Sequence, residues 1–406
     1  MPWREMSIMS GRQEFVSLAG SGGVSFSALC KRFGISRKTG YKWLARHRKG
    51  PDLQDRSRRP HSSPEQTSAS IEAQVLKART QHPVWGGRKL AAWLKGHGVK
   101  EIPSPSTITE ILRRHGLIDP AASRAATPFI RFEREAPNDL WQMDFKGHVP
   151  MVRGGRCHPL SVLDDHSRFS IGLRACDNER DETVRGHLIE MFRLYGLPER
   201  MLCDNGSPWG TAGGDAEHTG LTVWLLRLGV RVSHGRPMHP QTQGKLERFN
   251  RTLKAELLSR LDLLDLIHGQ AEMDPWRQGY NFERPHEAVD DKPPATRYQP
   301  SHRIYPEELA ELEYGPQDEV RRVGPGGIVS YKGIQVRVGR AFIGERLGIG
   351  PTSRDGVMRV RLGAHPIGDL DLNVQPLLPR RRASLATLAP PADAGETSVT
   401  HVSEQV

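Results

Sequence analysis

From Asn138 onward the apolar residues alternate with a period of two, and the alternation carries a carboxylate into a strand. In "NDLWQMDFKGHV" Trp141, Met143 and Phe145 interleave with Gln142, Asp144 and Lys146, which predicts a strand with Asp144 on one face. "PLSVLDDHSRFSIGLRA" predicts two further strands joined as a hairpin through Asp165 to Ser167. Val184, Leu188, Phe192 and Tyr195 recur at helical spacing and predict a helix over 181–195. "GLPERMLCDNGSPW" supplies a short apolar strand ending in Asp204, and an apolar helix in "HTGLTVWLLRLG" and the strand "VRVSH" follow. Three antiparallel strands succeeded by alternating helix and strand predict a layered α/β or α+β core.

Aspartate and glutamate are depleted in strands, and an ionised carboxylate near a core is costly unless something positive stands by. Asp144 and Asp204 therefore ask for a cation. If their strands are central neighbours, the strand ends converge on one edge of the sheet. The helix in "HPQTQGKLERFNRTLK", residues 239–254, can bring Glu247 to the same place. A cap at Thr242 and an acid in the first turn would account for Glu247 as a plain surface residue. At 100° per residue, however, Leu246, Phe249, Leu253 and Leu257 share a face while Glu247, Arg251 and Lys254 line its flank. Three hard oxygen ligands without His or Cys suit Mg2+, with Mn2+ as the alternative. Two such ions about 3.5 to 4 Å apart stabilise the incoming and departing oxygens of a displacement at phosphorus. Asp164 and Asp165 are expected to serve the hairpin turn through local hydrogen bonds. Among the histidines near this region, His218, His234 and His239 read as satisfied loop residues.

Charge points to a polyanion: 58 Lys plus Arg against 47 Asp plus Glu leave a formal +11. Between Lys31 and Arg59 there are eleven basic residues against Asp52 and Asp55. Residues 10–50, which overlap this stretch, predict a helix-turn-helix, with Leu29 and Phe33 four apart, a break at Gly34, and Ser36 capping a helix that carries Tyr41, Trp43 and Leu44. Its exposed face would offer Arg37, Lys38 and Lys42 to a major groove. Residues 51–70 form a basic linker whose Arg56, Arg58 and Arg59 can follow a phosphate backbone, or simply tether. A second helix-turn-helix is expected over 71–118, with a capping box from Thr107 to Glu110 and a stripe of Ile108, Ile111 and Leu112. Short β runs with turn signals at Lys332-Gly333 and Asp355-Gly356 predict a small β-barrel over 318–376, and residues 380–406 read as a disordered tail.

Cys30, Cys157, Cys176 and Cys203 are scattered without a C-x-x-C pair, so neither a disulfide frame nor a structural zinc is expected. No run of about 18 apolar residues occurs, which predicts a cytoplasmic protein working beside the nucleoid.

The strings "WQMDF", "LCDNGSPW" and "HPQTQGKLERFNRTLK", in this order behind a helix-turn-helix, resemble the catalytic core of bacterial insertion-sequence transposases of the D-D-E superfamily. That superfamily shares the retroviral-integrase, ribonuclease H-like fold. The resemblance spans about residues 20–300 and places the core at 136–300. With the readings above it makes a multidomain chain: N-terminal all-α helix-turn-helix units, the α/β ribonuclease H-like catalytic core that the resemblance implies, and the small C-terminal β-barrel expected from the β runs. It also implies a triad of Asp144, Asp204 and Glu247 holding two metal ions, with Lys254, seven positions after Glu247, on the terminal DNA. Here 42 residues separate Asp204 from Glu247, more than the superfamily commonly has. The surplus falls in "GTAGGDAEHTG", where added loop length costs little. The zinc-binding module of retroviral integrases is absent. The expected activity is metal-dependent cleavage at terminal inverted repeats and strand transfer into target duplex DNA by a homo-oligomer, at least a dimer. A catalytically silent DNA-binding regulator derived from a transposase, and a ribonuclease of the same fold, remain open alternatives.

Overall fold

Ser36 starts the third helix with its own side chain: Oγ accepts the Thr39 N–H at 3.1 Å, and α3 runs Arg37–Lys49 from there. A computed structural model describes residues 8–50, 52–55, 67–118, 133–204, 206–210, 218–234, 244–373 and 382–384, and the chain divides into two units, Met1–Gln66 and Thr67–Val406. In the first unit α1 (Ile8–Gly20), α2 (Phe26–Arg32) and α3 enclose Phe15, Leu29, Cys30 and Trp43. Gly34, at φ +63°, makes the turn between α2 and α3 in a conformation that side chains resist. Gly40 lets α3 come close, since a Cβ there would stand 2.8 Å from Cys30 Sγ. Arg37, Lys38 and Lys42 are exposed along α3. Tyr41 is exposed rather than part of the core, its ring stacked on Phe26. Arg56, Arg58 and Arg59 lie outside the described residues.

The second unit opens with α4 (Ala69–Gln81), α5 (Gly87–Gly96) and α6 (Pro105–Arg114), closed around Val75, Leu90, Ile108, Ile111 and Leu112. The start of α6 corrects the expected capping box. Ser104 is the cap, accepting the Thr107 N–H at 3.2 Å, and Pro105 follows at the first helical position, where its missing N–H costs nothing. Thr107 thus lies inside the first turn, and Glu110 pairs with Arg113 instead of reaching back.

The central sheet has β1 (Trp141–Phe145) antiparallel to β3 (Arg156–Asp164), which also pairs with β4 (Ser170–Cys176). On its other edge β1 runs parallel to β5 (Arg200–Cys203), and β5 parallel to β6 (Arg231–His234). The two-residue β2 (Val149–Pro150) pairs with the start of β3. Strand alternation builds two cores. Trp141, Met143, Leu160 and Val162 face α7 (Asp181–Tyr195) and α8 (Gly220–Arg227), while Leu163 and Leu173 face α9 (Gly244–Leu253) and α10 (Leu266–Phe282). Helices therefore cover both faces of the sheet.

Beyond residue 318 the expected closed barrel is replaced by two open sheets. β7 (Glu319–Arg322), β10 (Arg346–Pro351), β11 (Val357–Leu362) and β12 (His365–Asp371) form one; β8 (Ile328–Tyr331), β9 (Ile334–Arg337) and β13 (Arg382–Ser384) form the other. They share a core that also takes in Val223 and Leu226 of α8, but no strand pairing among the described residues joins their edges. The Lys332-Gly333 turn does close the β8–β9 hairpin, with both residues at positive φ. Of the expected tail only 382–384 are described, as strand β13. The four cysteines are free and buried. Among the described residues no helix is long and apolar enough to cross a membrane.

Candidate active site

Asp144 stands on β1 with its side chain on the face opposite Trp141 and Met143, the same face as Gln142. The parallel register pairs Trp141 with Met201 and Gln142 with Leu202. Continued by two residues, it sets Asp144 beside Asp204, the residue that follows β5. The two carboxylates feel one another. Burial first, and then the charge of Asp204, push Asp144 up to about 7, against the Phe145 N–H and Lys146, which favour its ionised form. Glu179 adds a weaker like charge; its Oε1 accepts from His158 Nδ1 at 2.7 Å.

Asp204 is held by its loop. Its Oδ1 accepts the Gly206 N–H at 3.0 Å, and its backbone carbonyl accepts from His234 Nδ1 at 2.9 Å. Trp209 anchors the same loop, buried and stacked on Phe145 at 5.6 Å, next to Asp144.

Helix α9 lies over the Gln142–Asp144 face. Leu246, Phe249 and Leu253 are buried beneath it, and Leu257 is partly buried, as the spacing predicts. After Leu253 the helix widens into a π turn, Lys254–Leu258, closed by the Ser259 N–H to the Lys254 carbonyl at 2.9 Å. Arg251 and Lys254 are exposed. Glu247 is also exposed, three residues before Asn250, whose Oδ1 accepts from Ser161 Oγ at 2.8 Å. Ser161 is the cross-strand partner of Asp144. The structure thus brings Asp144 and Asp204 together and lays the Glu247 helix across the same face. It does not bring Glu247 into a common group with them: among the described residues no three carboxylate, imidazole or thiol groups converge closely enough to hold an ion. The loop ahead of α9, with Thr242 and His239, lies outside the described residues.

Sequence reading missed what fixes α9 in place. Gln142 is buried, and its Oε1 accepts the Leu246 N–H at 3.2 Å, one of the orphan donors of the first helical turn. Its Nε2 donates to Asp165 Oδ1 at 2.7 Å. Asp165 Oδ2 accepts from Lys245 Nζ at 2.5 Å and from the Arg134 N–H at 2.9 Å. Burial holds Lys245 down to about 8, with Asp165 opposing that shift. Asp164 keeps the local role expected of it. Its Oδ1 takes the Ser167 N–H and Oγ, and its Oδ2 takes the Asn138 N–H at 2.8 Å. The only signal available in the sequence was a second aspartate beside one that the turn already satisfies.

The donor set fits divalent ions. Burial, and then the like charge of Asp204, keep a proton on Asp144 near neutrality, and a hard cation between two such oxygen ligands would offset both.

Five family models match the chain. Integrase core domain models match residues 134–240 and 228–294, a helix-turn-helix domain 12–61, a homeodomain-like domain 39–112, and an IS481 family transposase C-terminal domain 318–377. The uncharacterized 31.7 kDa protein of insertion element IS407 from Burkholderia multivorans is 24% identical over 237 residues, covering 56% of this chain and 80% of that protein. The uncharacterized 39.2 kDa protein of insertion element IS476 from Xanthomonas euvesicatoria is 26% identical, covering 39% and 44%. The Pro-Pol polyprotein of simian foamy virus type 3 is 29% identical, covering 36% of this chain and 12% of its own length. Among solved structures, the HTLV-2 integrase catalytic core domain in complex with magnesium is 18% identical, covering 41% of this chain and 99% of its own, with a TM-score of 0.32, too low to carry an argument. With an integrase core domain matched at its centre, helix-turn-helix domains before it and an IS481 family transposase C-terminal domain behind it, the chain is similar to the bacterial insertion-sequence transposases of the integrase-like superfamily.

Proposed function

We propose that the chain binds the terminal inverted repeats of its own element, cleaves a strand there with water, and joins the freed 3′-hydroxyl to target DNA. In this reading Asp144, Asp204 and Glu247 are the catalytic residues and would hold two divalent ions, Mg2+ or Mn2+. When bound, such ions stabilise the charge on the attacking and departing oxygens of the phosphodiester. Asp144 and Asp204 contribute from adjacent strand ends, and the Gly206 N–H orients the second of them. Glu247 contributes from α9, whose first turn is tied to β1 through Gln142. Arg251 and Lys254 hold the DNA backbone along the same helix, while Arg37, Lys38 and Lys42, with Arg56, Arg58 and Arg59, bind the element ends. Domains fall at 10–50, 71–118, 136–300 and 318–376. Bringing two ends together requires at least a homodimer.

The observation that supports this reading is the Asp144–Asp204 pair at adjacent strand ends, where burial and then the neighbouring carboxylate push Asp144 up to about 7. The test is strand cutting on a duplex that carries the element end. Asp204→Asn and Glu247→Gln are expected to abolish metal-dependent nicking and joining while end-binding stays within about twofold of the parent. Nicking at the parental rate by either variant would reject the triad, and a parent that binds ends without ever nicking them would mark it as a silent regulator.

A further inference from the structure

The first turn of α5 carries Arg88 and Lys89 and lies against α9 and the segment after α10. Glu287 bridges the two sides, with Arg88 Nη1 at 3.1 Å from Oε1 and Arg248 Nη2 of α9 at 3.5 Å from Oε2. Deeper in, Arg284 is 3.1 Å from Glu256, whose two oxygens also accept the indole N–H groups of Trp85 and Trp276 at 3.2 Å each. Lys89 stands among these groups with neither a hydrogen bond nor an ion pair of its own among the described residues. Burial first, then Arg284, hold its ammonium down to about 8. Four cations thus face two carboxylates, both already engaged. His286 borders the cluster, held well below its ordinary value by burial first and then by Arg284, with Arg248 and Lys89 adding to the effect, and its buried Nδ1 has no partner among the described residues.

Two further features suit an anion. Gly86 stands as the N-cap of α5 and has no side chain to cap the helix start, an end that favours negative charge. The rim is accessible: the side chains of Arg88 and Arg248 are 65% and 54% exposed. Guanidinium forks with an ammonium beneath them match the oxygens of a phosphodiester. Resting on the reading of the chain as a DNA-handling enzyme, we propose that the first turn of α5 and Arg248 of α9 form a seat for one backbone phosphate of duplex DNA, with Lys89 as its central cation.

The test uses the full chain and a labelled duplex of about 30 base pairs with arbitrary sequence, followed by anisotropy across a salt series. Lys89→Gln is expected to weaken binding several-fold at low salt and to reduce the slope of log K against log salt by about one, as when one phosphate is no longer neutralised. Lys89→Arg should keep the parental slope. The melting temperature of Lys89→Gln should equal or exceed that of the parent, because a sheltered cation without a partner has been removed. A parental slope in Lys89→Gln, or a slope reduced only together with a lowered melting temperature, would overturn the seat. If the parent nicks element ends but the slope does not change, the seat alone fails. If the parent neither binds nor cuts DNA, the broader reading fails with it.

Discussion

Gln142 links two elements with one amide: its oxygen takes a helix-start N–H of α9 and its nitrogen goes to Asp165, both in a buried setting. Gln142→Ala leaves the Leu246 N–H and part of Asp165 unsatisfied, and a loss of about 1 to 3 kcal/mol in denaturant unfolding is the expected outcome. Strand joining should fall further than DNA binding in this variant, since the helix of Glu247 loses its tie to β1; equal loss of both would count against the linkage. The histidines give a pH effect of fixed sign. Burial holds His218 down to about 4 from 6.5, so as pH falls through that window the unfolded chain gains the proton first. Stability present above about 6.5 therefore drains toward pH 4, by on the order of 3 kcal/mol for His218 fully expressed. Asp144, raised toward 7, acts in the opposite direction. Comparing the parent with His218→Asn at pH 7.5 and 5 separates the two, and a variant with unchanged pH dependence would refute the His218 assignment. Asp144 and Asp204 were legible because a carboxylate in an apolar strand is conspicuous at a single position. The Gln142–Asp165–Lys245 chain was not, because its members lie far apart in sequence and each has an ordinary local explanation.

Helices with strong local punctuation read true. The helix of α7 matches the predicted 181–195, and Ser36 and Gly34 set the second helix of the N-terminal pair as their chemistry requires. At α6 a Ser-Pro start competed with a Thr-to-Glu pattern, and the proline decided it by being pre-set for the first helical position. Packing between α5 and α6 was invisible to such signals. A Cβ on Gly87 would stand 2.2 Å from the Pro105 carbonyl oxygen and 2.5 Å from Thr109 Oγ1, and neither backbone can yield easily. Gly87→Ala is expected to destabilise this helical group by about 1 to 3 kcal/mol. Gly96→Ala, where nothing lies within 4 Å, should be neutral or mildly stabilising by comparison. Hydrogen exchange of the α5 and α6 amides measures both, and equal protection in the two variants would contradict the close approach.

Over the whole chain, charge was easier to anticipate than closure. The basic surplus and the exposed Arg37, Lys38 and Lys42 lead to a steep salt dependence of DNA binding. Replacing those three with alanine should lower the log–log slope by about three, whereas an unaltered slope would remove α3 from the DNA interface. The C-terminal strands were readable one by one, but whether their edges meet depends on pairings across some sixty residues that no local pattern encodes. The widened turn after Leu253 has a reach beyond its own length. Its extra residue advances the helix by about 100°, which sets the orientation of everything downstream. Glu256, caught between two indoles and Arg284, is therefore clocked to Trp85, just ahead of α5, by a surplus step in the winding. Excising Ala255 would restore a regular spiral and swing that carboxylate off both rings, so one deleted alanine would unhitch α5 from the element that carries Glu247.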